Sequence, residues 1–516
     1  MHQPVAGALS PLLLLPPPPL LVSLKGSDPV DGSVSQSHQR AGLRLALLAL
    51  AQFIIAIDYN IVFVALPDIG DALGFSPQTL QWVVSSYAVA FGGFLLFGGR
   101  AADRLGARRM FVIALVLFGV SALVGGLANS PEVLVLARAV QGLGGALLFP
   151  STLTLIVTSF AEGRERNRAL AVWGSTGSGG LAAGALLGGV LTGSLGWAWV
   201  FFAMVPLVVI ALIGAPLLLT PDAPRSGDRG GFDIPGALVV TVGATLVVFG
   251  LVSGPEAGWT APRALGSLVV GALLIASFFL IEAKTSAPLA PLRMFGNRSL
   301  ITSMLVAFLH MSALSGGYYL FTTYIQNILG YDALQAGLAF LPLGLLAMIA
   351  GGKVAASMLN KSGLRTTLFI GMLVYGIGMA AMAAGMSTGG TYWSVLPGVA
   401  IYGFGGGLAF TTIFATAGSG VDASEQGVAS ALASTAQQIG AAVGLAALIV
   451  IANSGLDVSA GAAAPAVADV VAGLRAAGWV AAGAAVLGAL VALNLKKAPS
   501  STAVAADEGR EVTVSS

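Results

Sequence analysis

The 516-residue chain is 56% hydrophobic and only 9% charged, with a net charge of +2; so little polar surface excludes a soluble protein of this length and marks a polytopic α-helical membrane protein. The absence of cysteine excludes disulfides, thiolate metal sites and a cysteine nucleophile, and the three histidines (His2, His38 and His310) form no cluster with metal-ligand spacing. No basic patch with interleaved aromatics points to nucleic acid, and no G-x-S-x-G, H-E-x-x-H or G-x-x-x-x-G-K-[ST] run points to an enzyme.

Residues 1–40 join a Leu/Pro run to a polar Ser/Gly/Asp stretch without the basic start and cleavage site of a signal peptide, so a disordered tail is expected there. Apolar runs then alternate with short polar turns. Six membrane helices are expected near 43–66, 80–98, 109–128, 132–158, 169–191 and 197–219, and two more near 233–253 and 264–281. The last six fall near 299–328, 334–357, 366–386, 393–416, 426–452 and 467–495, followed by a polar tail at 496–516. With the amino terminus placed in the cytoplasm, loops on that side hold Arg100, Arg104, Arg108, Arg109, Arg164, Arg166, Arg168, Arg225 and Arg229. Lys284, Arg293, Arg298, Lys361, Arg365, Lys496 and Lys497 continue the series, whereas outer loops hold only Arg263 and Arg475. This asymmetry fits an even number of spans with both ends cytoplasmic.

The first helix, LRLALLALAQFIIAIDYNIVFVALP, carries Asp58 well inside. A carboxylate at that depth costs roughly 2.5–3.5 kcal/mol to insert, so it is expected to face a bundle interior or a watery cavity and to have a function. Arg138, in LVLARAVQGLGGALLFP of the fourth helix, is the one arginine inside a span and away from its ends. Asp58 lies nine residues before Pro67 and Arg138 seven after Pro131, which puts both at the same depth, roughly 10–14 Å below the outer surface. Equal depth and opposite charge point to an ion pair or a shared water cavity. At 4 Å and an effective dielectric near 20 such a pair is worth about 4 kcal/mol, against roughly 2.3 kcal/mol per charge for a membrane potential of about 100 mV. Protonation of the pair can therefore bias a conformational equilibrium; the alternative is a static pair that only orders the helices.

The turn GGRAADRLGARRMF (Gly98–Phe111) and the fifth-helix run GLAAGALLGG (Gly180–Gly189) carry a resemblance. From about residue 42 to 453 the chain resembles the fourteen-span drug:proton antiporters of the major facilitator superfamily. The family's loop signature G-x-x-x-D-R-x-G-x-[RK]-[RK] matches Gly99, Asp103, Arg104, Gly106, Arg108 and Arg109; the resemblance implies that Asp103 with these arginines latches the cytoplasmic side. The fourth-helix pattern R-x-x-Q-G-x-G matches Arg138, Gln141, Gly142 and Gly144. The first-helix pattern matches Asp58, Ile61, Val62, Ala65, Leu66 and Pro67 but has Asn60 for Thr and Phe63 for Asn, which makes a cavity there more apolar. The antiporter signature matches Gly180, Gly184, Gly188 and Gly189, with Ala185 in place of its proline, so the close helix packing of spaced glycines is kept and the kink is not.

The resemblance implies two six-helix bundles, 41–220 and 299–495, joined by a linker, 221–298, that holds the two extra helices. GGKVAASMLNKSGLR (Gly351–Arg365) echoes the first cytoplasmic loop without its Asp, as an internal parallel repeat would. His310, Tyr318 and Gln326 of the ninth helix, Gln437 of the thirteenth, and Asn60 and Gln141 are candidate substrate-cavity residues. His310 is an intramembrane titratable group, although a neutral hydrogen-bonded histidine is the commoner state. The expectation is a proton-coupled exporter of small amphipathic organic compounds working by alternating access. Asp58 and Arg138 would couple the proton, with no metal, no cofactor and no enzymatic activity. A multiply cationic substrate is disfavoured, because Asp58 is the one acidic group well inside a span. Six lysines against eighteen arginines point to a GC-rich bacterial genome and hence to the bacterial inner membrane, with a single chain as the working unit. Export of an endogenous lipid or metabolite, and a non-transporting membrane sensor, remain the alternatives.

Overall fold

The computed structural model describes residues 30–75, 77–80, 82–222, 234–285, 288, 291–331, 333–454 and 466–495. Of the tails expected at 1–40 and 496–516, residues 1–29 and 496–516 lie outside these residues, whereas 30–40 are not disordered as expected but form the start of a helix that continues into the first span. Among the described residues, 43–495 pack as one compact unit, to which everything below belongs apart from residues 30–42 at the start of the first helix. Every regular element among the described residues is helical.

The first half comprises α1 (Val30–Leu73), α2 (Trp82–Leu105), α3 (Ala107–Gly126), α4 (Pro131–Ser159), α5 (Arg164–Leu195) and α6 (Met204–Leu218). The helices α7 (Ile234–Ala257) and α8 (Pro262–Glu282) pair as a hairpin. The second half comprises α9 (Arg298–Thr323), α10 (Leu341–Ile349), α11 (Ala355–Gly385), α12 (Tyr392–Ala417), α13 (Gln426–Asn453) and α14 (Val467–Ala492). A helix stands at each of the fourteen expected places, but by length and apolar composition twelve described stretches qualify as membrane spans. One of these, Gln335–Gly385, is a single run of 51 residues that Gly363 breaks with φ 74° and ψ 176°, while α7 contributes only the shorter apolar stretch Leu238–Leu251. Boundaries shift where one residue decides them. The helix α1 continues through Pro67 to Leu73, and α2 continues through Gly98 and Asp103 to Leu105. The turn into α3 is thereby reduced to Gly106, whose φ of 104° is open to glycine and strained for other residues.

Small residues set the packing in both halves. The sequence R-A-V-Q-G-L-G-G-A (Arg138–Ala146) of α4 recurs as V-A-I-Y-G-F-G-G-G (Val399–Gly407) in α12. Its middle glycine is used the same way twice: Gly144 lies against the Phe118 backbone of α3, and Gly405 against the Tyr375 backbone of α11. The halves meet where α2 packs on α13 and where α5 packs on α10 and α12. The α7 helix runs along the α2–α13 seam, with Val248 against Gly92 and Phe249 stacked 5.5 Å from Trp82.

A methyl group at position 405 would overlap the backbone nitrogen of Tyr375. Gly405→Ala is therefore expected to cost about 1–3 kcal/mol through overpacking. Gly389→Ala, where nothing lies within 4 Å, should cost nothing. Thermal unfolding of the two purified variants checks the difference.

Candidate functional site

Asp58 is fully buried and faces the interior of the first half. Arg138 Nη1 donates to Asp58 Oδ1 at 3.0 Å and Oδ2 at 2.9 Å, and to Gln141 Oε1 at 2.8 Å. The Gln141 amide returns a bond to Asp58 Oδ1 at 2.9 Å. Arg138 Nε donates to the Val83 carbonyl at 2.9 Å, and the guanidinium lies 4.5 Å from the Tyr87 ring centroid. The carboxylate thus accepts three charge-assisted or polar bonds, and the arginine is held by a carboxylate, a carbonyl, an amide and an aromatic face. Helix spacing builds this locally: Arg138 and Gln141 are i, i+3 neighbours on α4. Gly142 beside them lets α2 come so close that an added Cβ would overlap the Tyr87 carbonyl.

Glycines bring α5 onto α1 in the same region. An added Cβ at Gly180 would stand 2.6 Å from Ala56 Cβ, and one at Gly184 2.6 Å from the Ile57 carbonyl. Asn60, one turn from Ala56 on α1, donates to the Leu181 carbonyl at 2.9 Å and so ties these helices together. Gly188 is buried and Gly189 half-buried further along α5. Beyond the pair, Ile57, Ile61, Val62, Ala65, Val83, Leu134, Val200, Phe201 and Met204 close over it as an apolar cluster.

At the arginine-rich end, Asp103 in the last turn of α2 accepts from the backbone N–H of Gly427 at 2.9 Å and of Val428 at 3.0 Å. It therefore caps the first turn of α13 from across the interface, where free N–H groups and the helix dipole favour a negative charge. Gly99 and Gly427 let the two backbones touch. The other loop residues divide their tasks. Arg100 donates to the Pro288 carbonyl and is attracted by Asp103, Glu282 and Glu425. Arg108 and Arg109 present their backbone N–H groups to Asp222 Oδ1 and Oδ2, each at 3.0 Å, while Arg108 Nη2 reaches the Pro216 carbonyl at 3.3 Å. Arg104 lies half-buried in the last turn of α2. Sequence reasoning missed Asp222 and Gly427. It also missed Arg293, whose guanidinium bonds Glu425 at 2.6 Å and so fastens the segment before α9 to the α12–α13 turn.

The candidate cavity residues do not form one cluster. Gln141 joins the Asp58 site and Asn60 bridges α1 and α5. His310 is buried inside the second half, 4.9 Å from the Tyr375 ring, whose hydroxyl donates to the His310 carbonyl at 3.3 Å. Tyr318 stacks on Phe340 at 4.9 Å. Gln326 is half-buried in the turn Tyr324–Ile328, and Gln437 is buried on α13.

Residues 48–445 match the family model of the Major Facilitator Superfamily. The chain is 37% identical over 423 residues to the puromycin resistance protein of Streptomyces alboniger, covering 81% of this chain and 84% of that one. It is 36% identical over 432 residues to a cephamycin export protein of Amycolatopsis lactamdurans, covering 84% and 88%. A lincomycin resistance protein of Streptomyces lincolnensis is 36% identical over 412 residues, covering 79% and 83%. Among solved structures, a human organic anion transporter superposes with a TM-score of 0.65 at 15% identity, covering 88% of this chain and 99% of that one. A proton:xylose symporter superposes with a TM-score of 0.61 at 18% identity, covering 88% and 95%; both likenesses concern the fold.

Arg138→Met removes the charge that balances a buried carboxylate and should cost about 3–5 kcal/mol. Adding Asp58→Asn to it removes the stranded charge and should restore most of the loss. Thermal unfolding of the singles and the double measures this; a double variant no more stable than Arg138→Met would mean the two residues do not act as a pair.

Proposed function

The chain belongs to the major facilitator superfamily, and from that premise we propose that it exports small amphipathic organic compounds, antibiotics among them, in exchange for protons. The observation that carries this reading is the enclosed Asp58–Arg138–Gln141 group. A carboxylate and a guanidinium packed together inside a membrane-spanning half are costly, and such residues mark ion and proton pathways. The relatives supply the cargo class: their names specify puromycin, cephamycin and lincomycin, so what they have in common is export or resistance rather than one compound.

In this reading the arginine-rich end faces the cytoplasm, with both termini on that side. Asp103, seated on the first turn of α13, holds that end closed, with Gly99 and Gly106 allowing the approach and Arg104, Arg108 and Arg109 adding charge around the turn. Rocking one half against the other breaks that contact and opens the cytoplasmic side. Asp58 binds a proton when Arg138 withdraws and gives it up when the pair closes again. The coupling of a close pair, about 4 kcal/mol at an effective dielectric near 20, is of the size needed to drive such a change. The proton is the coupling ion and no cofactor is invoked. The single chain holds all the parts named, so it is read as the working unit, in a bacterial inner membrane.

Asp58→Asn keeps the shape of the side chain and cannot carry the proton. It leaves Arg138 buried without its counter-charge, so it should unfold at a lower temperature than the parent chain, and the flux in proteoliposomes is compared for equal amounts of folded, inserted protein. Across a panel of toxic amphipathic compounds, it should show proton flux on substrate addition no greater than empty vesicles. Undiminished flux in this variant would remove Asp58 as the carrier. A parent chain that moves no toxic compound and yet couples protons to an endogenous lipid would redirect the cargo class.

A further inference from the structure

Between the Asp58 site and the Asp103 contact, five aromatic rings from both halves pack into one cluster. Trp173 of α5 stacks on Phe410 of α12 at 5.7 Å and 13°, and meets Phe149 of α4 at 5.3 Å and Phe414 of α12 at 5.2 Å, both edge to face. Phe149 and Phe414 are 5.3 Å apart, Phe410 and Phe414 5.4 Å, and Phe91 of α2 closes on Phe149 at 6.2 Å. Phe149 and Phe410 occupy equivalent places in the α4–α12 repeat. Phe149 lies eleven residues beyond Arg138 on α4, roughly 16 Å nearer the arginine-rich end. The cluster therefore crosses the interface that must part when that end opens.

Two of its polar atoms do not suit a permanent core. Trp173 is fully buried, yet its indole N–H has no acceptor among the described residues. Gln52 of α1 is 3% exposed, and its carbonyl oxygen has no donor among them. Gln52 adjoins the rings: a Cβ added at Gly177 of α5 would lie 2.8 Å from the Gln52 amide nitrogen and 3.5 Å from the edge of Phe410. A buried donor or acceptor left unpaired costs about 1–3 kcal/mol, which phenylalanine and leucine at these two places would avoid. Polar groups kept at that cost fit a surface that is used when uncovered.

We propose that this cluster is a capture site for planar aromatic substrates, hidden in the present state and uncovered when the halves part at the arginine-rich end. The parted faces carry Phe149 and Trp173 on one half and Phe410 and Phe414 on the other. A planar ring entering between them replaces the ring contacts that parting breaks, and each good aromatic pair is favourable beyond its buried area. The indole N–H then donates to an acceptor on the compound, and the Gln52 carbonyl accepts from a donor on it. A compound without an aromatic ring restores none of the stacking. This site rests on the alternating-access reading above, and it deepens that reading by naming a substrate class.

The test is equilibrium binding to the purified full chain in lipid nanodiscs, with labelled puromycin as the aromatic probe and labelled lincomycin as the one without an aromatic ring. Asp103→Asn weakens the contact that keeps this end closed, so it should tighten puromycin binding by at least about tenfold. In that background Trp173→Leu or Phe410→Leu should abolish the gain. Trp173→Phe, which keeps a ring and loses the N–H, should weaken binding a few-fold, and lincomycin affinity should change less than about twofold throughout. Puromycin affinity that is insensitive to Asp103→Asn, or to the leucine variants within it, overturns the proposal. If the leucine variants fail to fold, an unchanged affinity in Trp173→Phe overturns it as well. Because binding is read without transport, a chain that captures puromycin at these rings but moves no proton would contradict the proton-driven export and leave this site standing.

Discussion

A carboxylate and a guanidinium enclosed within a membrane protein set the terms for everything around them. Neither Asp58 nor Arg138 has access to water in this state, so each depends on the other and on a small set of neutral partners: Gln141, the Val83 carbonyl and the face of Tyr87. Such a group is stable only if helices come close enough to supply those partners, and glycine makes that approach possible. Gly142 brings α2 to Arg138, while Gly180 and Gly184 bring α5 to the stretch of α1 that carries Asp58. The glycine signatures of the fourth and fifth helices therefore serve one purpose, which is to build a polar enclosure in an apolar bundle.

The same chemistry, used in a weaker form, joins the halves. Asp103 meets backbone N–H groups at the start of α13 and no guanidinium on that helix, so its hold comes from two hydrogen bonds and a helix dipole. A contact of that kind is directional and breaks as a unit when α13 moves away. Nearby, Arg293 fastens the segment following the α7–α8 hairpin to Glu425, two residues before Gly427. The extra hairpin is thus linked by side chains to the turn on which the Asp103 contact is made, and α7 lies along the α2–α13 seam.

Much of this was legible in the sequence because membranes restrict what a chain can do. A carboxylate and an arginine at matching depths, in helices of otherwise apolar residues, have few places to go, and the structure pairs them directly. The loop signature located Asp103 but put it in a turn, whereas it belongs to the last turn of α2 and Gly106 alone makes the bend. Its partner on α13 is an N–H of the backbone, which no side-chain pattern announces. Asp222 escaped notice for a similar reason, since its partners are the backbone N–H groups of Arg108 and Arg109, more than a hundred residues earlier. His310 shows the limit on the other side: α9 scatters Ser299, Thr302, Ser303, Ser312 and Ser315 around its circumference instead of gathering them in one polar stripe, so sequence could place the histidine at a depth but not on a face. The structure sets its ring 4.9 Å from that of Tyr375. The α4–α12 repeat escaped the sequence reading, which found only the Gly351–Arg365 echo, because the second half keeps the packing glycines while Val399 and Tyr402 replace the polar Arg138 and Gln141 that mark the first.

In the proposed mechanism one enclosed carboxylate, Asp58, gains and loses a proton as the halves rock. Infrared difference spectroscopy of the full chain in lipid, recorded on adding a transported compound, observes that group itself. A band of a protonated carboxyl group should appear or vanish on substrate addition and be missing in Asp58→Asn. A spectrum with no carboxyl change on substrate addition, or one identical in that variant, would contradict it.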